Sequence, residues 1–190
     1  ERANWFAPKN TSQKDDWSFR RSKWFEHVGN ECRNVSKNVG LLDMTAFAKA
    51  RIFGIGAESF LEHLVANRIP KKIGRVNLCH ALNTRGGVHS EFTITKENDH
   101  SFYLVSAGAF QRLDHDWIHQ WMSKDNSVQF ENLTNSIGVL VIAGPKSREL
   151  LNRVSRDDFT NQGFPWLTSK KINIGLAPSV AIRMNFVGEL

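Results

Sequence analysis

Between Val88 and Thr95 the chain alternates. Val88, Ser90, Phe92 and Ile94 take one parity, and His89, Glu91, Thr93 and Thr95 take the other. A repeat of two is the repeat of an extended strand, whose successive side chains leave on opposite faces. This segment is therefore expected to bury the Phe92 face and present the Glu91 face. Glu-Asn-Asp-His at 97–100 has the composition of a turn, and Ser101–Ser106 is a second apolar run. Residues 88–106 thus read as an antiparallel hairpin.

The flanking segments read differently. Trp24, Phe25, Val28, Cys32 and Val35 recur at spacings of three and four, which predicts a helix over 24–38 ended by Gly40. Leu41–Phe47 has no clear period, Lys49–Phe53 reads as a short strand, and Ala57–Ala66 reads as a helix with Phe60, Leu61, Leu64 and Val65 inward. Gly108–Met122 is predicted helical, with Phe110, Leu113, Trp117, Ile118 and Trp121 on its apolar face. Gly138–Ala143 reads as a buried strand, Gly144-Pro145 as a turn and Ser147–Val154 as a second short helix. Phe164-Pro165-Trp166 reads as a loop, and Lys171–Ile174 and Val180–Phe186 as strands. Helices and strands that alternate around a central hairpin indicate an α+β chain with ferredoxin-like pieces rather than a doubly wound sheet.

Composition narrows the function classes. Hydrophobic residues at 41% and charged residues at 23% are ordinary for a chain that folds around a core. No run of about 18 apolar residues occurs, so no spanning helix and no membrane role are expected. The net charge of +6 comes from scattered pairs such as Arg20-Arg21, Lys71-Lys72 and Lys170-Lys171. With no basic run, nucleic-acid binding is not expected, whereas a small polyanion suits such a surface. Cys32 and Cys79 lack metal-site spacing and are too few for a disulfide framework, which points to a reducing compartment. The absence of an initiator Met and the Asn-Phe-Val-Gly-Glu-Leu ending suggest a piece of a longer chain.

Gly54-Ile-Gly56 between a strand and a helix invites a dinucleotide reading. Ser59 stands where the third small residue belongs, and no acidic residue follows at about 20 positions, so a tight turn is preferred. His115 and His119 are one helical turn apart without a following Glu, so a solvated face is preferred to a metal site. Asn83-Thr-Arg-Gly-Gly-Val-His-Ser-Glu91 is the strongest candidate. Two glycines allow close backbone approach, and the strand they feed can hold the Glu91 carboxylate at a fixed angle in a pocket. Read from pattern alone, solvent exposure of His89 and Glu91 on an edge strand is the competing expectation.

Several segments, taken together and in order, resemble the glycine-cleavage T-protein (aminomethyltransferase) family. They are Gly40-Leu-Leu-Asp-Met-Thr-Ala-Phe47, Arg85-Gly-Gly-Val-His-Ser-Glu91, Phe102-Tyr-Leu-Val-Ser-Ala107, Ala143-Gly-Pro-Lys146 and Asn185-Phe-Val-Gly-Glu189. The lead-in Glu1-Arg-Ala-Asn-Trp-Phe6, Trp24-Phe25 and Asn30-Glu-Cys-Arg-Asn-Val35 resemble the C-terminal half of sarcosine and dimethylglycine dehydrogenases.

The resemblance implies a truncated T-protein-like folate-binding domain over 41–190, preceded by a lead-in segment and helix over 1–40 on the flavin-domain side. It implies tetrahydrofolate as cofactor, FAD on a separate domain, and a methylamine-derived iminium as the one-carbon donor. Glu91 takes the catalytic role, where T-proteins have Asp. Phe47 packs on the folate ring system, and Leu104, Ser106, Thr93, Thr95 and Phe186 line its site, Phe186 standing where T-proteins often have Tyr. The family's pterin-holding Glu falls past Leu190. The expected partners are folate, the amine-derived substrate and a flavin dehydrogenase domain, with homo-oligomerisation open. The expected location is the bacterial cytoplasm or the mitochondrial matrix. A non-catalytic folate-binding relative of the same fold and a T-protein-type aminomethyltransferase are the competing readings.

Overall fold

The structure is a computed structural model that describes residues 5–14 and 18–185. At its centre is a five-stranded antiparallel sheet built from β2 (Ala48–Phe53), β3 (Val76–Leu82), β4 (Val88–Asn98), β5 (Ser101–Ser106) and β6 (Gln129–Asn132), in the order β3-β4-β5-β2-β6. With α2 (Ala57–Leu64) and α3 (Gln111–Trp121), the series β2-α2-β4-β5-α3-β6 is a ferredoxin-like split βαβ arrangement, to which β3 adds an edge. The fold is thus mixed, with antiparallel hairpins, as the sequence indicates.

The predicted hairpin is present as β4–β5, with Ile94 opposite Leu104 and Thr93 opposite Val105. Its apolar parity packs under the helices. Ile52, Cys79, Ala81, Phe92, Ile94, Phe102 and Leu104 from the sheet form one core with Ala57, Leu61 and Leu64 of α2 and Ile118 of α3. Val88 does not follow the parity of Phe92 and is exposed, because the register slips between Ala81 and Leu82 where the strand begins. The expected inward face of α3 also narrows. Ile118 is buried and Trp117 packs on the core, but Phe110, Leu113 and Trp121 are exposed.

Two further pairings flank the main sheet. β1 (Gly40–Asp43) pairs with β7 (Leu140–Ala143), so the first part of the segment without a clear period is a strand and its remainder a turn, and β7 is half-exposed rather than buried. α1 (Phe25–Lys37) leads into β1, and the carbonyl of Asn38 accepts from the Lys146 N–H just before α4 (Ser147–Val154), tying this end to the turn after β7. β8 (Thr168–Ile174) and β9 (Ala177–Arg183) form a hairpin over a small core of Phe159, Phe164 and Ile172. It joins the main sheet where Arg75 bridges Thr168 and the Val76 N–H donates to the Leu167 carbonyl.

Gly54-Ile-Gly56 is a tight strand-to-helix turn. Gly54 has φ +115°, and a Cβ there would lie 2.3 Å from the Ser127 carbonyl oxygen. The glycine is required by the close approach of the chain, and no ligand is needed to explain it.

Candidate ligand site on the open face of the sheet

The helices cover one face of the sheet. The other carries the second parity, and strand pairing sets its side chains in rows. Thr93 lies between Leu78 and Val105, with Lys49 beyond Val105. Thr95 lies between Val76 and Tyr103, with Arg51 beyond Tyr103 and Glu131 beyond Arg51. Glu91 lies opposite His80 at the end of the sheet where β4 begins. Ala48 pairs with Ser106, so the segment that ends in Phe47 leaves the sheet at this same end.

Glu91 is half-exposed, and its Oε2 lies 2.9 Å from His80 Nε2. His80 is held at the backbone: its N–H donates to Asn67 Oδ1 at 2.9 Å, and its carbonyl accepts from the Ala66 N–H. The Asn67 amide in turn donates to the Leu78 carbonyl at 2.6 Å. Thus the loop after α2 runs along the edge strand and satisfies groups that an edge otherwise leaves open.

Lys49 is fully buried, and its Nζ donates to the carbonyls of Thr45 (2.7 Å) and Phe47 (3.0 Å). Burial pushes its pKa below the usual lysine range, against the attraction of the Asp43 carboxylate. Asp43 Oδ1 accepts the Thr45 N–H at 2.9 Å, so both charges brace the same short segment. Gly108 closes it from the other side, since a Cβ there would lie 1.9 Å from the Ala46 carbonyl oxygen.

At the opposite end the face is closed by charge. Arg51 is forked between Glu97 (2.7 Å) and Glu131 (2.6 Å). The hydrogen bond to Glu97 contributes most to pushing the guanidinium pKa up. Tyr103 beside it is pushed up to about 12, first by burial and then by the Glu97 charge. Thr95 is buried there and its Oγ1 has no hydrogen-bond partner.

The expected site residues divide accordingly. Glu91, Thr93 and Thr95 share the parity opposite the helices, Thr95 being buried at the far end, and Phe47 lies at the Glu91 end. Leu104 and Ser106 do not: Leu104 is 2% exposed inside the helical core, and Ser106 Oγ donates to Asp114 Oδ2 of α3 at 2.6 Å. The β5 residues on the face of Glu91 are Tyr103 and Val105, one position away, because a shift of one residue changes the face of every side chain. Phe186 lies outside the described residues. His89 does not join Glu91. Next to the register slip it stacks on Trp117 with centroids 4.0 Å apart, and its Nδ1 is 2.9 Å from Ser90 Oγ. His115 and His119 meet Phe130 edge-on at 4.8 and 4.7 Å; His119 is exposed, as a solvated face requires, and His115 is partly buried. Among the described residues no group of three or more His, Cys, Asp or Glu side chains could hold a metal ion, and no helix is long and apolar enough to cross a membrane.

Sequence reasoning missed His80 and Lys49. β3 has the composition of a strand, but Leu78 is apolar on the open parity and blurs its alternation. A lysine inside an apolar strand is itself a signal, since a buried ammonium requires acceptors.

The family profile described as "GCVT N-terminal domain" matches residues 1–190, the whole chain. Mouse mitochondrial dimethylglycine dehydrogenase is 35% identical over all of this chain, which spans 22% of that protein. Human mitochondrial sarcosine dehydrogenase is 27% identical over 93% of the chain, corresponding to 21% of its own length. The likeness therefore covers an N-terminal domain of the GCVT type and about a fifth of each enzyme, which corrects the broader expectation of a C-terminal half. In structure, the glycine cleavage system aminomethyltransferase T from Bartonella henselae superposes with a TM-score of 0.67 over 84% of this chain and 42% of that one, at 18% identity. That likeness extends to the fold, and the sequence matches extend to the family. The chain belongs to the GCVT N-terminal domain family, as an aminomethyltransferase-like domain related to the dimethylglycine and sarcosine dehydrogenases.

Proposed function

We propose that the open face of the sheet binds a reduced folate, and that the domain passes it a one-carbon unit from an iminium made by oxidation of an N-methyl amine. The observation that carries this reading is the placement of Glu91. A half-exposed carboxylate stands on a face that also offers Leu78, Val105 and Tyr103, with Phe47 at the same end. Apolar and aromatic side chains around one acceptor suit a flat heterocycle with N–H donors at its edge. Tetrahydrofolate, when bound, supplies the nitrogen nucleophile for the one-carbon unit.

The residues of this chain do the rest. Oε2 of Glu91 is engaged by His80, which leaves Oε1 to accept an N–H from the ligand or to take up its proton. Thr93 offers a hydroxyl in the same row as Leu78 and Val105. The Phe47 ring would pack on the heterocycle, on a segment that Lys49 braces. Thr95 stands deeper, and Phe186 is retained from the family resemblance alone. The oxidation belongs to an FAD-bearing dehydrogenase domain, the proposed partner of this one, in the mitochondrial matrix or the bacterial cytoplasm.

The test is calorimetric titration with tetrahydrofolate of the whole polypeptide as its gene encodes it, alongside Glu91→Gln. Binding by both, with one-carbon transfer falling by about 10²- to 10⁴-fold in the variant, is the expected result. No binding by the wild-type protein would remove the proposed function and leave the fold assignment standing.

A further inference from the structure

We propose that His80 is the positioning residue for Glu91, and that the two form a dyad sharing one proton across the β3–β4 pair. The inference rests on the reading of Glu91 as the reacting carboxylate. By the family resemblance, Glu91 takes the place of an Asp. The longer side chain has one more rotatable bond, and on a half-exposed face nothing in the strand itself holds its head in place. His80 does so, with Nε2 2.9 Å from Oε2. His80 is the only hydrogen-bonding partner of the Glu91 side chain among the described residues.

The backbone that carries the imidazole is itself held. Its residue pairs with Glu91 in the β3–β4 register, and both its backbone groups are bound by the loop after α2, through Asn67 Oδ1 and the Ala66 N–H. Asn67 also donates to the Leu78 carbonyl, so one side chain ties the β3 backbone at both Leu78 and His80. A carboxylate accepts and an imidazole can carry its hydrogen on Nε2, so the contact requires a proton between these two atoms. The shared proton holds Oε2, and Oε1 is turned to the ligand. The chain Asn67–His80–Glu91 thus transmits the geometry of a rigid edge strand to the reacting atom, as an orienting third group does in other acid–base sites.

The experiment uses the whole polypeptide with His80→Ala, His80→Gln, Glu91→Asp and the His80→Ala/Glu91→Asp double variant. Tetrahydrofolate affinity and kcat for one-carbon transfer are both measured. His80→Ala is expected to lower kcat by roughly 10- to 100-fold, the scale of a misplaced catalytic group, while affinity stays within about twofold. His80→Gln, whose amide nitrogen reaches the same point as Nε2, restores most of it. In the Glu91→Asp background the carboxylate is one methylene shorter and out of reach, so adding His80→Ala changes kcat less than about twofold. Equal losses in His80→Ala and His80→Gln, or losses that multiply in the double variant, overturn the proposal.

A second readout separates it from the functional reading. In histidine-labelled protein the His80 Nε2–H gives a nitrogen-15 resonance protected from exchange, lost in Glu91→Ala. If that resonance behaves so and no transfer is catalysed, the proposed function falls and the dyad stands. If it is indifferent to Glu91→Ala, the dyad falls whatever the activity.

Discussion

The ammonium of Lys49 donates to the carbonyl of Phe47 at 3.0 Å, from a side chain with no exposed surface. One buried charge thereby fixes the backbone that carries the aromatic ring at the Glu91 end of the site. Lys49→Met removes the charge and leaves the carbonyls of Thr45 and Phe47 without their donor. Two effects oppose each other globally, loss of hydrogen bonds and relief of a buried charge, so unfolding free energy changes little. The local effect has one sign. The Phe47 amide, bonded to Met44, should exchange about tenfold faster, the equivalent of one lost hydrogen bond of about 1.4 kcal/mol. Unchanged exchange at Phe47 would show that the ammonium does not brace the segment.

The parity of β5 can be tested directly. Leu104→Ala empties part of the helical core and should cost about 2–5 kcal/mol in a denaturant titration, with the affinity of the surviving folded protein for tetrahydrofolate unchanged. Val105→Ala, on the open face, should do the reverse: a smaller stability loss and a clear loss of affinity. The opposite pattern would place the ligand elsewhere.

Alkaline stability follows from Tyr103 and Cys79. Burial pushes Tyr103 up to about 12 from 10.0 and Cys79 up to about 11 from 9.0. The folded state holds these protons more tightly than the unfolded chain does. Their contribution is therefore whole below the unfolded values and is lost as pH rises through roughly 9 to 12. Lys49 is shifted down and works the other way below 10.5, so the comparison is between wild type and Tyr103→Phe. The variant should lack the part of the fall that lies between about pH 10 and 12, at most about 2–3 kcal/mol for a partly buried ring, read as the urea midpoint against pH. Parallel curves would show that Tyr103 is not buried in its neutral form.

Gly54→Ala should be strongly destabilising, by about 2 kcal/mol or more. It forces a side chain into φ +115° and onto the Ser127 carbonyl. A fall in melting temperature, read by circular dichroism, checks it. A neutral substitution would mean that the turn and the 127–128 segment separate easily.

How much of this was legible before the chain folded differs element by element. The alternation of β4, its hairpin with β5, the turn at Gly54 and the helical spacing of α1 and α2 are properties of neighbouring residues, because φ and ψ set the period locally. They placed Glu91 on a strand with Phe92 beneath it. Ordered motifs added the family, and the comparisons agree with it. The β1–β7 pair joins segments about a hundred residues apart, from Gly40 to Ala143, and no local period announces it. The resemblance put Leu104 and Ser106 at the site, and the residues of β5 offered no check on it, because both parities there are apolar, with Leu104 in the core and Tyr103 and Val105 on the other face.

The sequence by itself thus determined the β4–β5 hairpin and which carboxylate it carries, while β3 and β6, which the local pattern did not announce, came with the fold. Only the tertiary structure decided what that carboxylate touches. The register between β3 and β4 sets His80 against Glu91, and the loop after α2 sets His80 itself. Cross-strand distances depend on how separate segments align, and that alignment is chosen by burial of the opposite face of the sheet. The contacts of the site are therefore a consequence of the core that the site does not share.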